Sequence, residues 1–341
     1  MSLSEGILLT GGAGFIGSHT CVELARAGHR PVVLDNFCNS KPSVLDRVAQ
    51  IAGHRVECIH GDIRDAVLLR KVFADHAITS VIHLAGLKAV GESVRQPLPY
   101  YDNNVLGTLR LLEAMQDSAV RRIVFSSSAT VYGEPQRLPI DETHPVSANS
   151  PSPYGRTKLI IEQMLQDVSR ADDRWRICML RYFNPIGAHQ SGLIGEDPND
   201  VPNNLMPFIL KVASRQFAEL SVWGNDYPTP DGTGVRDYIH VVDLAAGHVR
   251  ALDQLDSMRC EAINLGTGRG TSVLELVDAF QRVNGVAIPH VMKPRRTGDV
   301  AACFADATLA ATRLGWRTER TIDDMCRDAW RWQQSGGAST R

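Results

Sequence analysis

No run of apolar residues in this 341-residue chain approaches the ~18 that a bilayer-spanning helix needs, which excludes a transmembrane protein. The segment 1–6 has no basic stretch followed by an apolar core, so no secretory signal is expected and a cytoplasmic location is. An excess of one charge is missing too: 36 Lys and Arg stand against 38 Asp and Glu, a formal charge of −2. That balance argues against a general nucleic-acid binder. The seven cysteines, Cys21, Cys38, Cys58, Cys178, Cys260, Cys303 and Cys326, contain no CxxC, and eleven histidines show neither HxxxH nor HExxH. Neither a disulfide framework nor a catalytic metal is expected, and the thiols read as reduced, small hydrophobes. No internal repeat of 20–50 residues is visible. What is present, 43% apolar and 22% charged residues, describes a globular chain long enough for about two domains.

The first half alternates between two hydrophobic periods. Short apolar runs at 7–10, 31–35, 56–60, 81–84, 122–126 and 177–180 read as strands. Between them, 15–27, 66–75, 100–115 and 153–171 read as helices. Strands fed by helices predict an α/β fold, a Rossmann-type doubly wound parallel sheet covered on both faces. Beyond about Asn184 the segments shorten, and Pro, Gly and Asn gather at 192–204 and 224–234, which read as cleft-lining loops. Regular elements return near 220–223, 241–253, 261–265, 273–285 and 322–333. The predicted organisation is a dinucleotide-binding domain over 1–184 and a smaller mixed α/β substrate domain over 185–341, interleaved with the first.

Gly11-Gly12-Ala13-Gly14-Phe15-Ile16-Gly17 sits between the first strand and the first helix with the spacing GxxGxxG. Glycines there allow a tight turn and let the backbone approach a pyrophosphate at the positive end of the helix. The spacing alone is weak; its place between a strand and a helix strengthens it. Asp35 ends the second strand, where a carboxylate accepts hydrogen bonds from ribose hydroxyls and repels a 2′-phosphate, favouring NAD over NADP. Asp62 ends the third strand and can meet the adenine amino group; taken alone it reads as the N-cap of the next helix.

Ser152-Pro153-Tyr154-Gly155-Arg156-Thr157-Lys158 opens a helix, with Ser152 as cap and Pro153 in the first turn. Tyr154 and Lys158 are four apart and share one face with Ile161, Leu165 and Val168. An ammonium beside a phenol favours the phenolate, so Tyr154 is expected to be acidified by Lys158 and to act as a base near neutral pH. Ser126-Ser127-Ser128 follows the fifth predicted strand, at the carboxyl edge where ligands bind open α/β sheets. Ser128 can share the hydroxyl that Tyr154 deprotonates.

The glycine loop, Asp35, the serine run and Tyr154-xxx-Lys158 together resemble the extended short-chain dehydrogenase/reductase family. Within it, several segments are similar to the UDP-glucose 4-epimerases: Leu84–Ser93, Tyr100–Asn104, Ser126–Gly133, Arg181-Tyr182-Phe183-Asn184-Pro185, Pro202–Pro207, Gly224–Thr229 and Asp231–His240. The resemblance runs through nearly the whole chain and implies NAD as cofactor and UDP-glucose and UDP-galactose as substrates. Against the cofactor it implies Gly11, Gly14, Phe15, Ile16 and Gly17 of the loop. Asp35, Asn36, Asn39 and Ser40 follow the second strand, and Asp62 and Ile63 the third. Leu84, Ala85, Gly86, Lys88, Asn103, Ser126, Tyr154, Lys158 and Tyr182 complete that set. Against the UDP-sugar it implies Lys88, Ser128, Tyr154, Phe183, Asn184, Asn203, Asn204 and Leu205 on one side. Ser221, Val222, Trp223, Arg236, Tyr238, Arg296, Asp299 and Cys303 stand on the other. Such residue types suit a nucleotide sugar. Arg236 and Arg296 are permanent cations able to clamp a diphosphate, and Asp299 can accept from a ribose. Singly, such arginines are more often surface ion pairs.

The implied reaction inverts C4 of the sugar through a 4-keto intermediate. Tyr154 takes and returns the hydroxyl proton, Ser128 steadies the oxygen, and Lys158 positions the nicotinamide ribose. Dehydratases of the same superfamily carry an Asp-Glu pair where this chain has Ala129-Thr130, which argues against elimination of water. Cys303 stands where relatives can carry a bulky tyrosine; the smaller residue implies acceptance of UDP-N-acetylglucosamine and UDP-N-acetylgalactosamine, and the other reading is that Cys303 merely fills space, since pocket size depends on all its walls. Two other readings are a 4-epimerase for UDP-uronic acids and a non-catalytic NAD-binding regulator; the second has no need of Tyr154, Lys158 and Ser128. The resemblance also implies a homodimer formed through the helices near 100–115 and 153–171.

Overall fold

The computed structural model describes residues 5–146, 152–197, 204–296 and 298–336. Six strands of the first half, β1 (Gly6–Thr10), β2 (Arg30–Asp35), β3 (Glu57–His60), β4 (Ile78–His83), β5 (Arg122–Ser128) and β6 (Arg176–Tyr182), join the strand Cys260–Leu265 in one seven-stranded sheet. Its order is Cys260–Leu265, β6, β5, β4, β1, β2, β3, and every pairing is parallel. The order reverses between β1 and β4, so the crevice at their carboxyl ends is the topological switch point where such sheets bind ligands.

Alternate residues feed opposite layers. Ile7, Leu9, Val33, Ile82, Val124 and Leu180 pack with α1 (Phe15–Arg26) and with the helix Val241–Gln254. Leu8, Val32, Val81, Ile123, Phe125 and Met179 pack with helices Ala66–Asp75, Gly107–Asp117 and Pro153–Ala171. Both faces are dry, which is why these strands read as continuous apolar runs. A third core joins the helices Leu205–Ala213, Val273–Asn284 and Ile322–Gln334 through Ile209, Leu210, Leu276, Phe280, Met325 and Trp332. The sheet thus borrows a strand and a covering helix from the second half of the chain.

Two local expectations are corrected. The stretch 100–115 is not one α-helix: Pro97–Tyr100 leads into a wide π-helical turn, Tyr101–Leu106, before Gly107–Asp117. The buried Asn104 side chain accepts from Leu87 N at 2.8 Å and donates to Leu87 O at 3.0 Å and to Thr157 at 3.1 Å. Those bonds tie the widened turn to the β4 edge and to the tyrosine helix, as π turns at functional sites often do. The N-cap after β3 is Asp65, which accepts from Val67 N and Leu68 N, and not Asp62. Asp62 instead accepts from Arg64 and from Asn36 Nδ2, and the Arg64 guanidinium holds its carboxyl well below the usual range.

Candidate active site

The carboxyl edge of the sheet opens into one cleft of about 1700 Å³, larger than the ~300–1,000 Å³ of a pocket for a single small ligand. At one end lies the glycine loop. Gly11 has φ +71°, and a Cβ on Gly17 would stand 2.2 Å from Gly11 O, so the loop folds against itself only with glycine at both positions. Gly14 caps α1 without any side-chain bond to the first turn, which leaves the positive helix end to the cleft. Asp35 ends β2 beside it and accepts from Ala13 N at 2.9 Å, Phe37 N at 2.8 Å and the Ser40 hydroxyl at 2.9 Å. The carboxylate thereby fixes the loop on one side and the following turn on the other. A bare helix end, a cradle closed to any Cβ and an adjacent carboxylate fit a dinucleotide.

Ser152 accepts from Gly155 N at 3.1 Å and Pro153 occupies the first turn, so the tyrosine helix starts where the sequence places it. Lys158 is buried and donates to Ser126 O at 2.6 Å, with its Nζ 4.9 Å from the Phe125 ring centre and 5.9 Å from that of Tyr154. Burial lowers its pKa to about 8, and Glu162, one turn further along the helix, works in the opposite sense. The expected acidity of Tyr154 does not follow from this geometry. Burial pushes the phenol above its ordinary value, and what pulls it back is a hydrogen bond with Ser128. The Lys158 ammonium hydrogen-bonds Ser126 O. Tyr182, beside them, is pushed well above its usual range by burial and bonds His248 Nε2 at 2.6 Å.

At the far end of the cleft the lining comes from short, dispersed pieces. Ser221, Val222 and Trp223 lie on the strand Leu220–Trp223. Arg236 lies on Val235–Arg236, which pairs with Ala302–Cys303 in a register that sets Cys303 opposite Arg236. Arg236 donates to Val235 O and Val300 O at 2.8 and 2.9 Å, and Arg296 pairs with Asp299 at 3.2 Å while lying 5.6 Å from the Trp223 ring centre. Cys303 packs in a cluster with Phe183, Ala129 and Leu159. Of the residues singled out from sequence, all but two line this one cleft. Asp62 stands behind Asn36, and Asn203 lies outside the described residues.

The sequence model of the NAD dependent epimerase/dehydratase family matches residues 7–266. The chain belongs to that family. It is 57% identical over 328 residues to the UDP-glucose 4-epimerase of Yersinia pestis, covering 96% of this chain and 97% of that one. The structure superimposes on the Bifidobacterium longum UDP-glucose 4-epimerase in complex with NAD⁺ and UDP with a TM-score of 0.94, 54% identity and coverage of 97% and 98%. It superimposes on the Stenotrophomonas maltophila UDP-glucose-4-epimerase, with bound NAD and formylated UDP-arabinopyranose, with a TM-score of 0.95, 51% identity and the same coverage. The family's cofactor is the one that the glycine loop and Asp35 fit.

Several residues in or just behind the cleft were not singled out from the sequence. Glu162 is buried, pairs with Arg181 at 2.6 Å and accepts from Ser127 at 2.6 Å; the spacing of four that joins Tyr154 to Lys158 also joins Lys158 to Glu162 and was a usable signal. Arg181 continues to the hydroxyl of Tyr132, which donates to Asn264 at 2.7 Å. Glu196 and Tyr227 line the cleft from the two loops that composition marks as cleft-lining, although neither residue was singled out there. Among the described residues no group of three or more His, Cys, Asp or Glu is arranged to hold a metal ion, and no helix is long and apolar enough to cross a membrane.

Proposed function

We propose that this protein is a UDP-glucose 4-epimerase, which interconverts UDP-glucose and UDP-galactose by inverting C4 of the sugar. The observation that carries the reading is the seam of the cleft: Tyr154, Ser128 and Lys158 stand between a glycine-loop end and an Arg236, Arg296 and Trp223 end. Gly11–Gly17, Asp35 and Lys158 would hold NAD, which when bound supplies the hydride acceptor and donor for C4. Tyr154 takes the proton of the 4-hydroxyl on its phenolic oxygen and later returns it. Ser128, which draws the pKa of that phenol back down, holds the sugar oxygen and steadies the phenolate. Lys158, anchored on Ser126 O, keeps a cation beside both. Arg236 and Arg296 bind the diphosphate, Asp299 the ribose, and Trp223 covers the base. Binding energy so remote from C4 lets the sugar turn over without leaving.

The halves divide the work, 1–184 holding the cofactor and 185–341 the nucleotide sugar. Cys303, smaller than the tyrosine that relatives can carry there, supports acceptance of the acetylated UDP-sugars as well. The exposed Val90, Val94, Leu98 and Leu109 lie on consecutive helices and support a homodimer through that face; light scattering should give twice the chain mass, and a monomer would contradict it. Seven free thiols, three of them buried, suit the reducing cytoplasm. The direct test is incubation of the purified protein with UDP-galactose and no added cofactor. UDP-glucose should accumulate to equilibrium; an unchanged sugar would overturn the reading and leave a regulator or a 4-epimerase of another nucleotide sugar.

A further inference from the structure

A carboxylate in a cleft built for two diphosphates needs a reason, because unpaired it would repel both. Glu196 is such a group. Its side chain is only 10% exposed, and its Oε1 accepts from Lys88 Nζ at 3.0 Å and from Asn204 Nδ2 at 3.0 Å. Lys88 follows β4 on the cofactor side, whereas Asn204 heads the helix Leu205–Ala213 on the substrate side. Asn204 is the N-cap of that helix, yet its amide bonds Glu196 and makes no capping bond. The bond to Glu196 therefore displaces the use an asparagine ordinarily has at this place.

The described residues around Glu196, 193–197, are held at several points. Ile194 is buried, its carbonyl accepts from His189 N at 3.1 Å, and Gly195 lies so close to Trp332 that a Cβ would come within 2.5 Å of the ring. Next to Glu196, Asp197 pairs with Lys41 at 2.6 Å, and before Ile194 the Leu193 carbonyl accepts from Arg47 at 3.3 Å. Lys41 and Arg47 belong to the cofactor half. A segment rooted in the substrate half is thus held to the cofactor half at Lys88, Lys41 and Arg47. Lys88 is about half exposed, so the pair with Glu196 adds little to stability; what it supplies is position.

We infer that Glu196 is a positioning residue that ties the two halves together, holding Lys88 and Asn204 in register across the cleft and slowing the escape of NAD. The inference rests on the epimerase reading for the identity of the two ligands. Lys88 and Asn204 are the residues that meet cofactor and nucleotide sugar, and one carboxylate oxygen binds both. Removing it frees two lips of the cleft at once and lets the Asn204 amide rotate.

The test uses NAD-loaded protein and three chains: wild type, Glu196→Ala and Glu196→Gln. NAD appearing in the filtrate is followed with time, and KM and kcat for UDP-galactose are measured separately. Glu196→Ala should release NAD at least ~10-fold faster and raise KM at least ~5-fold, with kcat within about twofold, because no atom at the reacting carbon has changed. Glu196→Gln keeps an oxygen for Asn204 but loses the charge for Lys88, so KM should stay near wild type while NAD still leaves faster. Release and KM both within twofold of wild type in Glu196→Ala would overturn the inference, as would a fall confined to kcat. Wild-type protein that neither carries NAD nor converts UDP-galactose would instead overturn the functional reading beneath it.

Discussion

At the Gly11–Gly17 end of the cleft the surface is largely main chain: a glycine turn, the bare end of α1 and one carboxylate tied down by Ala13, Phe37 and Ser40. At the other end it is side chains, with Trp223, Arg236 and Cys303 carried on strands of two to four residues and Arg296 and Asp299 on the segment that leads into Ala302–Cys303. The first surface is made by seven consecutive residues and one partner from the next strand. The second exists only after pieces about 70 residues apart have paired. Main-chain recognition is therefore intolerant of added atoms, whereas side-chain recognition degrades one contact at a time.

The sharpest way to break that contrast is Gly17→Val. The first added carbon meets the Gly11 carbonyl and the Gly12 backbone, neither of which can yield. We expect a loss of about 3 kcal/mol or more of stability and no co-purifying NAD; a chain that still carries NAD would refute main-chain recognition. A comparable effect, visible only with pH, belongs to Lys158 at the seam. Burial holds it at about 8 against an ordinary 10.5, so between those values the unfolded chain binds a proton that the folded chain has shed. Relative to Lys158→Met, the wild type should be best placed above pH 10.5, lose up to about 3 kcal/mol as pH falls through 8, and stay level below that. Denaturant midpoints of both proteins from pH 7 to 10.5 measure it, and parallel curves would contradict the burial of a charge.

Arg236→Ala sharpens the other side. Losing one charged clamp should raise KM for UDP-galactose about 10- to 100-fold, through ~1.5–3 kcal/mol, with NAD content unchanged. Loss of NAD in this variant would mean that the two ends are not separate. The smallest effect is expected from Cys303→Tyr, which should leave UDP-galactose turnover within about threefold and abolish turnover of the acetylated pair. Equal activity on both pairs would remove Cys303 from the pocket wall.

The same contrast explains what could be read without coordinates. The glycine loop, Asp35 and the helix Pro153–Ala171 announced themselves because their chemistry is local, down to the Ser152 cap. The strands Val235–Arg236 and Ala302–Cys303 are too short to show a period, and their residues were reachable only through resemblance to a family. Glu196 had neither signal. The environment of Tyr154 was legible only in part: spacing put Lys158 on the same face, but spacing reveals neither the burial that pushes the phenol up nor the Ser126 O that the ammonium binds.

Tyr154→Phe isolates the seam from both ends. The substitution removes one oxygen and leaves the ring, the glycine loop and the arginines in place. We expect turnover of UDP-galactose to fall about 10²- to 10⁴-fold, the range of a lost general base, while bound NAD and UDP affinity stay as in the wild type. Undiminished turnover, with NAD and UDP still bound, would contradict the account at its centre.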